Sequence, residues 1–118
     1  MRRALLDVNV LIALLDEAHI HHALASSWLE RELQHGWASC PITQNGCVRI
    51  MSQPIYPGGF SAAEVAERLA EAVNGPDHGF WPADVSLLEK GCIDWSYVLG
   101  HRQVTDAYLL ALAVKHVG

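Results

Sequence analysis

MRRALLDVNVLIALLD, residues 1–16, is the stretch that decides the fold of this chain. A short apolar run from Ala4 to Leu6 ends at Asp7, and after Asn9 every position from Val10 to Leu15 is apolar. This pattern predicts a buried strand, Asp7 at its carboxyl end, and then a helix capped near Asn9. Because open α/β sheets bind ligands at the carboxyl ends of their strands, Asp7 is a candidate to hold a cation or meet a phosphate-bearing ligand. The alternative interpretation is that Asp7 only caps the helix.

The rest of the chain alternates predicted helices with short predicted strands. Gly36 is the expected stop of the second helix, and Ser61-Ala62-Ala63-Glu64 has the pattern of a capping box. Helices are expected at residues 19–34, 42–51 (opening near Thr43), 61–74 and 105–116 (with Gly118 as its cap), strands at 37–40 and 79–81, and loops at 54–60 and 100–103. Such alternation predicts one α/β domain over residues 1–118, with a central, mainly parallel sheet flanked by helices.

Periodicity also predicts which side chains are buried. The last helix is nearly all apolar, so it should be buried as a whole, and residues 85–100 should form one or two short helical turns. Asp16 and Glu17 are expected to be solvated, with a contribution of Asp16 to an acidic groove as the other interpretation. The inward side chains are expected to be Ala23, Leu24, Trp28, Leu29 and Leu33 in the second helix, Val48, Ile50 and Met51 in the third, and Leu87, Leu88, Ile93 and Trp95 in the short turns.

The composition limits the classes of function. The chain has 118 residues, 51% of them hydrophobic, with a net charge of −5, which argues against salt-sensitive binding of nucleic acid through a basic face. The three cysteines have no metal-binding spacing and are odd in number, which favours inert thiols in a reducing cytoplasm. Asp7 and Asn9 interrupt the first apolar stretch, so it fits neither a signal peptide nor a membrane helix.

A second acid, Asp106, stands at the start of the last apolar helix. Its simplest role is to interact with the helix dipole. Together with Asp7, however, it makes a plausible oxygen-ligand pair for Mg²⁺ or Mn²⁺, which bind to one or two carboxylates and several waters. The amide of Asn9 is a candidate third oxygen ligand.

Three segments, residues 5–12, 43–50 and 100–113, resemble in order and spacing the successive motifs of PIN-domain ribonucleases, most closely VapC-type toxins of bacterial toxin–antitoxin pairs. The resemblance implies a three-layer PIN-like fold and a cytoplasmic, Mg²⁺- or Mn²⁺-dependent RNA endonuclease. It also implies a cognate antitoxin and a homodimer. Hydrolysis would leave a 3′ hydroxyl and a 5′ phosphate, with the metal activating water and neutralising phosphate charge.

The family's functional residues map onto particular positions of this sequence. Asp7 and Asp106 match two metal-binding acids, and Asn9 matches the small polar residue after the first. Thr105 is a candidate to support the site, with helix initiation as its other interpretation. Arg102 is a candidate phosphate contact or a solvated surface arginine. Arg49, in the predicted third helix, is a further candidate functional residue.

Two departures from the family pattern bear on activity. Many members carry a glutamate in the middle motif, where this chain has Gly46. The family also continues into another strand that ends in a fourth acid, whereas this sequence ends at Gly118, so we expect a domain shortened at its C-terminus. Both departures favour a second hypothesis, a weak or inactive PIN-like module that only binds an antitoxin or a second copy.

Two further hypotheses are less well supported by the residues. His19, His21 and His22 are candidate zinc ligands, but they lack a fourth ligand at standard spacing, so a polar helix start near the substrate groove is favoured. A phosphatase with an aspartyl nucleophile at Asp7 would need an acid two residues later, and Asn9 cannot act as that acid.

Overall fold

The computed structural model describes residues 3–117, in which three parallel strands form one sheet. The strands are β1 (Ala4–Leu5), β2 (Trp37–Ser39) and β3 (His78–Phe80), in the spatial order β1-β2-β3. Ala4 pairs with Trp37, and Trp37 pairs with His78. The third strand therefore lies one residue earlier than the sequence predicted, because it is set by this pairing with β2.

Helices connect the strands in the order that a parallel sheet requires. The described residues contain helices α1 (Val8–Leu15), α2 (His22–Glu32), α3 (Pro41–Met51), α4 (Ala62–Val73) and α5 (Val104–Val117), with 3₁₀ turns at Leu33–His35, Trp95–Tyr97 and His101–Gln103. The predicted α/β fold with a parallel sheet flanked by helices is thus confirmed. The predicted cap at Gly118 lies outside the described residues. No helix within residues 3–117 has the length and apolar character needed to cross a bilayer.

Hydrophobic side chains pack on both faces of the sheet. Leu6 belongs to a core formed with α1, α3 and α4, whereas its neighbour Leu5 packs against a second core with Tyr108, Leu109 and Leu112 of α5. Successive residues of an extended chain point to opposite faces of a sheet, so the adjacent residues Leu5 and Leu6 belong to different cores. The result is three layers, with α5 on the side opposite α1, α3 and α4.

The starts of three helices are fixed by side-chain hydrogen bonds. Asp7 is the N-cap of α1, so the predicted cap near Asn9 was wrong by two residues, and Asn9 lies in the first turn. Helix α3 begins at Pro41, where the Thr43 hydroxyl accepts the Cys40 backbone N–H at 3.0 Å. The predicted capping box at Ser61 is confirmed, with both of its hydrogen bonds present.

Burial along α2 and α5 is less complete than predicted. Helix α2 begins at His22 instead of His19. Its Ala23 and Leu24 are exposed, as is Leu33 in the 3₁₀ turn that follows, while Trp28 and Leu29 pack partly against the core. Helix α5 buries only Tyr108, Leu109 and Leu112. The sequence overestimated burial because apolar residues all round a helix are buried only where a packing partner covers every face.

The segment before α5 also differs from expectation. Residues 101–103 form a 3₁₀ turn instead of a loop, and Leu88 is 92% exposed and Trp95 50% exposed, so neither points inward. Leu87 does pack against the core of α5. At the other end of α5, Asp84 accepts from Lys115 Nζ at 3.2 Å and lies 2.8 Å from His116 Nε2. These two contacts of Asp84 fix the last turn of α5 to the chain after β3.

Candidate active site

Asp7 lies two residues after the end of β1 and presents an exposed carboxylate at the start of α1. Its Oδ1 atom accepts a hydrogen bond from the Val10 backbone N–H at 2.9 Å. The cap interpretation is therefore correct, yet the hydrogen bond uses only one of the two carboxylate oxygens. Because the Asp7 residue is exposed, its second carboxylate oxygen can bind another ligand, so capping and ligand binding are compatible.

A mostly apolar groove of about 530 Å³ runs from Asp7 between α1 and α2. It is lined by Asp7, Asn9, Val10, Ala13, His19, His21, Leu24, Ala25, Trp28 and Arg31. Asn9, in the first turn of α1, lines this groove together with Asp7. The groove brings an acid, two histidines and an arginine around an apolar floor.

The histidine cluster divides between two environments. The rings of His19 and His21 have centroids 5.7 Å apart and face the groove. His22 turns away, and its Nδ1 lies 2.7 Å from the carbonyl oxygen of Ala13. No three His, Cys, Asp or Glu side chains within residues 3–117 form a cluster able to hold a metal. His19 and His21 thus precede α2 and lie beside this groove.

Asp106 lies in the exposed first turn of α5 and lines a different groove, of about 720 Å³. That groove lies between α5 and residues 85–98, and Gln103 lines it beside Asp106. Thr105 and Arg102 are also exposed, Thr105 on α5 and Arg102 on the preceding 3₁₀ turn. No hydrogen bond within the described part of the chain joins Thr105 to Asp106.

One packing contact relates the two candidate acids. Leu5, two residues before Asp7, packs against the core formed by Tyr108 and Leu109, which lie shortly after Asp106 in α5. The first half of α5 thus rests on the strand that leads to Asp7. The two carboxylates nevertheless line separate grooves, and their convergence on one ion stays a prediction.

Buried polar groups elsewhere support the fold near the site. Asp16, at the end of α1, is only 7% exposed and accepts a hydrogen bond from the Tyr56 hydroxyl at 2.5 Å. The expectation that Asp16 is solvated was therefore wrong, because a partner 40 residues away covers it.

Cys40 and Cys47 are buried free thiols. Burial raises the pKa of Cys47 to about 11, which fits the predicted inert role.

Comparison with known proteins identifies relatives along almost the whole chain. Ribonuclease VapC44 of Mycobacterium tuberculosis is 53% identical over 116 residues, covering 98% of this chain and 82% of the relative. Ribonuclease VapC39 of the same organism is 43% identical over 98% of this chain and 84% of the relative. The chain belongs to the VapC ribonuclease family. No protein-family model matches it.

Gly46 lies at the position where the resemblance to PIN-domain ribonucleases predicts a glutamate in many members. Gly46 is buried in α3, and a Cβ built on it would lie 2.7 Å from Cγ2 of Val8. A glutamate there would need Val8 to move. The absence of an acid at this position is therefore tied to the packing of α3 against α1.

The three residues predicted as ligands have the oxygen atoms that a hard divalent cation prefers, although Asp7 and Asp106 line separate grooves. Asp7, Asn9 and Asp106 offer only oxygen ligands, which Mg²⁺ prefers, and Mg²⁺ retains several waters where few protein ligands are present. Exposed carboxylates suit such a partly hydrated ion. Cysteine and histidine, which would favour zinc, do not join these acids in a cluster within residues 3–117.

Sequence reasoning missed two groove residues, Trp28 and Arg31. It predicted that Trp28 points inward, and Trp28 does pack partly against the core, but it did not predict that Trp28 and Arg31 line the groove that begins at Asp7. Their spacing of three residues places them on neighbouring positions of one helix face. This spacing shows that Trp28 and Arg31 share a helix face, but only the position of α2 beside α1 shows that this face lines a groove.

Proposed function

We propose that this chain is the RNA endonuclease toxin of a toxin–antitoxin pair, working as a single PIN-like domain. Membership of the VapC ribonuclease family is the observation that carries the proposal. The exposed carboxylate of Asp7, at the carboxyl end of β1 and beside a helix N-terminus, is the feature of the site that supports it.

We propose that Asp7 and Asp106 hold one Mg²⁺ or Mn²⁺ ion, with Asn9 near it. When bound, such an ion supplies positive charge to the phosphate and lowers the pKa of a bound water. The Val10 N–H fixes Asp7 through Oδ1 and so orients Oδ2. Arg102, on the turn before α5, would bind a phosphate oxygen of the RNA, and Thr105 would support Asp106.

RNA cleavage by the purified chain tests this assignment. We expect cleavage with Mg²⁺ or Mn²⁺, loss of cleavage with a chelator, and a loss of at least about a hundredfold in Asp7→Asn and Asp106→Asn. Glu67→Gln removes an exposed acid of α4 and is the matched control, which should cleave as the wild type does.

The competing hypothesis is an inactive module that retains only the binding surface. This hypothesis is favoured by Gly46 in α3, because glycine stands there in place of the glutamate that many family members carry. On that hypothesis the wild-type chain shows no more cleavage than Asp7→Asn. The same experiment therefore decides between the enzyme and the binding module.

We also propose that the antitoxin binds in the groove between α1 and α2. Val10, Ala13 and Ala25 give it an apolar floor, Leu24 is 68% exposed beside them, and Asp7 supplies negative charge at one end. An amphipathic antitoxin helix, with apolar anchors along one face and a basic residue at one end, complements this groove.

Binding of the antitoxin to two leucine variants tests the groove. Leu24→Asp should weaken binding by about a hundredfold or more, since it buries an unpaired charge. Leu88→Asp changes a leucine that is 92% exposed and lies outside the groove, and this variant should bind normally. Equal affinities of the two variants would contradict this location.

A homodimer in the cytoplasm completes the proposed description. Leu110 and Val114 are 66% and 63% exposed on α5, which leaves apolar surface for a partner chain. Light scattering of the purified chain measures the oligomeric state, and a mass of one chain at all concentrations would contradict the dimer.

A further inference from the structure

Gly46 makes close contact with Val8, the first residue of α1. A Cβ at position 46 would lie 2.7 Å from Val8 Cγ2 and 3.5 Å from Cγ1. The first distance is shorter than packed carbon atoms normally allow, because optimal contacts lie near about 3.5–4.0 Å. Glycine is therefore the residue that fits unless Val8 moves.

Val8 cannot move away easily. It is β-branched and lies in a helix, where valine has one strongly preferred side-chain rotamer. Two further residues of the same helix, Leu11 and Ile12, are 1% and 4% exposed in the core that α1 shares with α3 and α4. Because these later residues are held in the core, a clash with the Val8 side chain would displace the N-terminal end of α1, where Asp7 lies.

Asp7 is joined to Val8 by a peptide bond and to Val10 by its side-chain hydrogen bond of 2.9 Å. Both links run through the first turn of α1. A displacement of Val8 thus changes where the Asp7 carboxylate lies and how well it caps the helix.

We propose that Gly46 is a positioning residue for Asp7: the missing side chain lets Val8 settle against α3, and this contact fixes the carboxylate. The inference rests on the proposed role of Asp7 in metal binding for its consequence in catalysis. Its structural part, that Gly46 places the start of α1, can be measured without a metal.

A cycle of three variants tests the inference: Gly46→Ala, Val8→Ala, and both together. Gly75→Ala is the matched control, because a Cβ there would meet only Ala72 O at 3.6 Å. The readouts are amide hydrogen exchange at Val10, affinity for Mn²⁺, and kcat and KM for RNA cleavage. Because alanine favours helix more than glycine does, loss of helicity is not the expected effect.

We expect Gly46→Ala to speed amide exchange at Val10 by about tenfold, and to lower Mn²⁺ affinity and kcat by about tenfold or more with KM little changed. The double variant, in which the smaller side chain at position 8 removes the clash, should recover most of each loss. If Gly46→Ala does not fold, the double variant must fold and bind Mn²⁺ like Val8→Ala for the inference to stand.

Two results would overturn the inference. One is wild-type exchange at Val10 and wild-type Mn²⁺ affinity in Gly46→Ala; the other is a double variant as impaired as that single variant. Failure of the proposed function looks different, because the wild type itself would then neither bind Mn²⁺ nor cleave RNA. The exchange rate at Val10 would still report whether Gly46 places Asp7.

Discussion

The carboxylate of Asp7 caps helix α1 by accepting the Val10 backbone N–H at 2.9 Å, while the rest of the carboxylate remains exposed. One side chain therefore has a structural role and a proposed chemical role. These roles depend on different properties of the group, since the cap needs one acceptor oxygen and a cation needs the negative charge.

Two substitutions of Asp7 separate the roles. Asparagine is as good an N-cap as aspartate, so Asp7→Asn should change the free energy of unfolding by less than about 0.5 kcal/mol, whereas Asp7→Ala should lower it by about 1 kcal/mol. Both should lose Mn²⁺ affinity. Urea unfolding and Mn²⁺ titration measure the two effects, and an Asp7→Asn variant that binds Mn²⁺ normally would contradict the assignment.

The hydrogen bond from Tyr56 to Asp16 should contribute substantially to stability. Burial and the neighbouring carboxylate raise the pKa of Tyr56 to about 12, so the hydroxyl keeps its proton and donates to Asp16 at 2.5 Å. Tyr56→Phe leaves a buried carboxylate oxygen without this donor and should cost about 1–3 kcal/mol. Tyr97→Phe, at a residue 80% exposed, is the control for urea unfolding, and equal stabilities would show that the bond is unimportant.

His78 should make stability depend on pH just below neutrality. Burial, and then the charge of Arg3, lower the pKa of His78 below 6.5, and its Nε2 lies 2.7 Å from Ser39 Oγ. The unfolded chain then binds more protons than the folded one below pH 6.5. The contribution of His78 is therefore complete above that pH and decreases as the pH falls towards the folded-state pKa.

Urea midpoints between pH 8 and pH 5 test this for the wild type, His78→Gln and the exposed control His101→Gln. The wild type and the control should lose more stability on acidification than His78→Gln does. Parallel pH profiles for the three proteins would rule out His78 as the source.

Local signals in the sequence were enough for the elements that depend on local interactions. The strand before Asp7 and the capping box at Ser61 were predicted, because each is encoded within a few residues. Gly36 was also predicted as a stop, but it ends the 3₁₀ turn that follows α2 and not α2 itself. The helix start was misplaced at Asn9 since Asp7 and Asn9 are both good caps. Only the coordinates show which side chain accepts the N–H.

Features that depend on distant residues were not predictable. Tyr56 covers Asp16 from 40 positions away, and the exposure of Leu24 and Leu110 depends on which helix faces have packing partners. The candidate site shows the same limit. Asp7 and Asp106 were recognisable as candidate ligands, but the separate grooves that they line emerge only from the packing of α2 and α5.

Paramagnetic broadening by Mn²⁺ in the NMR spectrum of the purified chain tests the central claim most directly. If Asp7 and Asp106 share one ion, the amides of both residues broaden at the same Mn²⁺ concentration, Mg²⁺ reverses the effect at both, and Asp7→Asn or Asp106→Asn abolishes it at both. Broadening at one acid that persists when the other is substituted, or RNA cleavage that survives a chelator, would contradict the account.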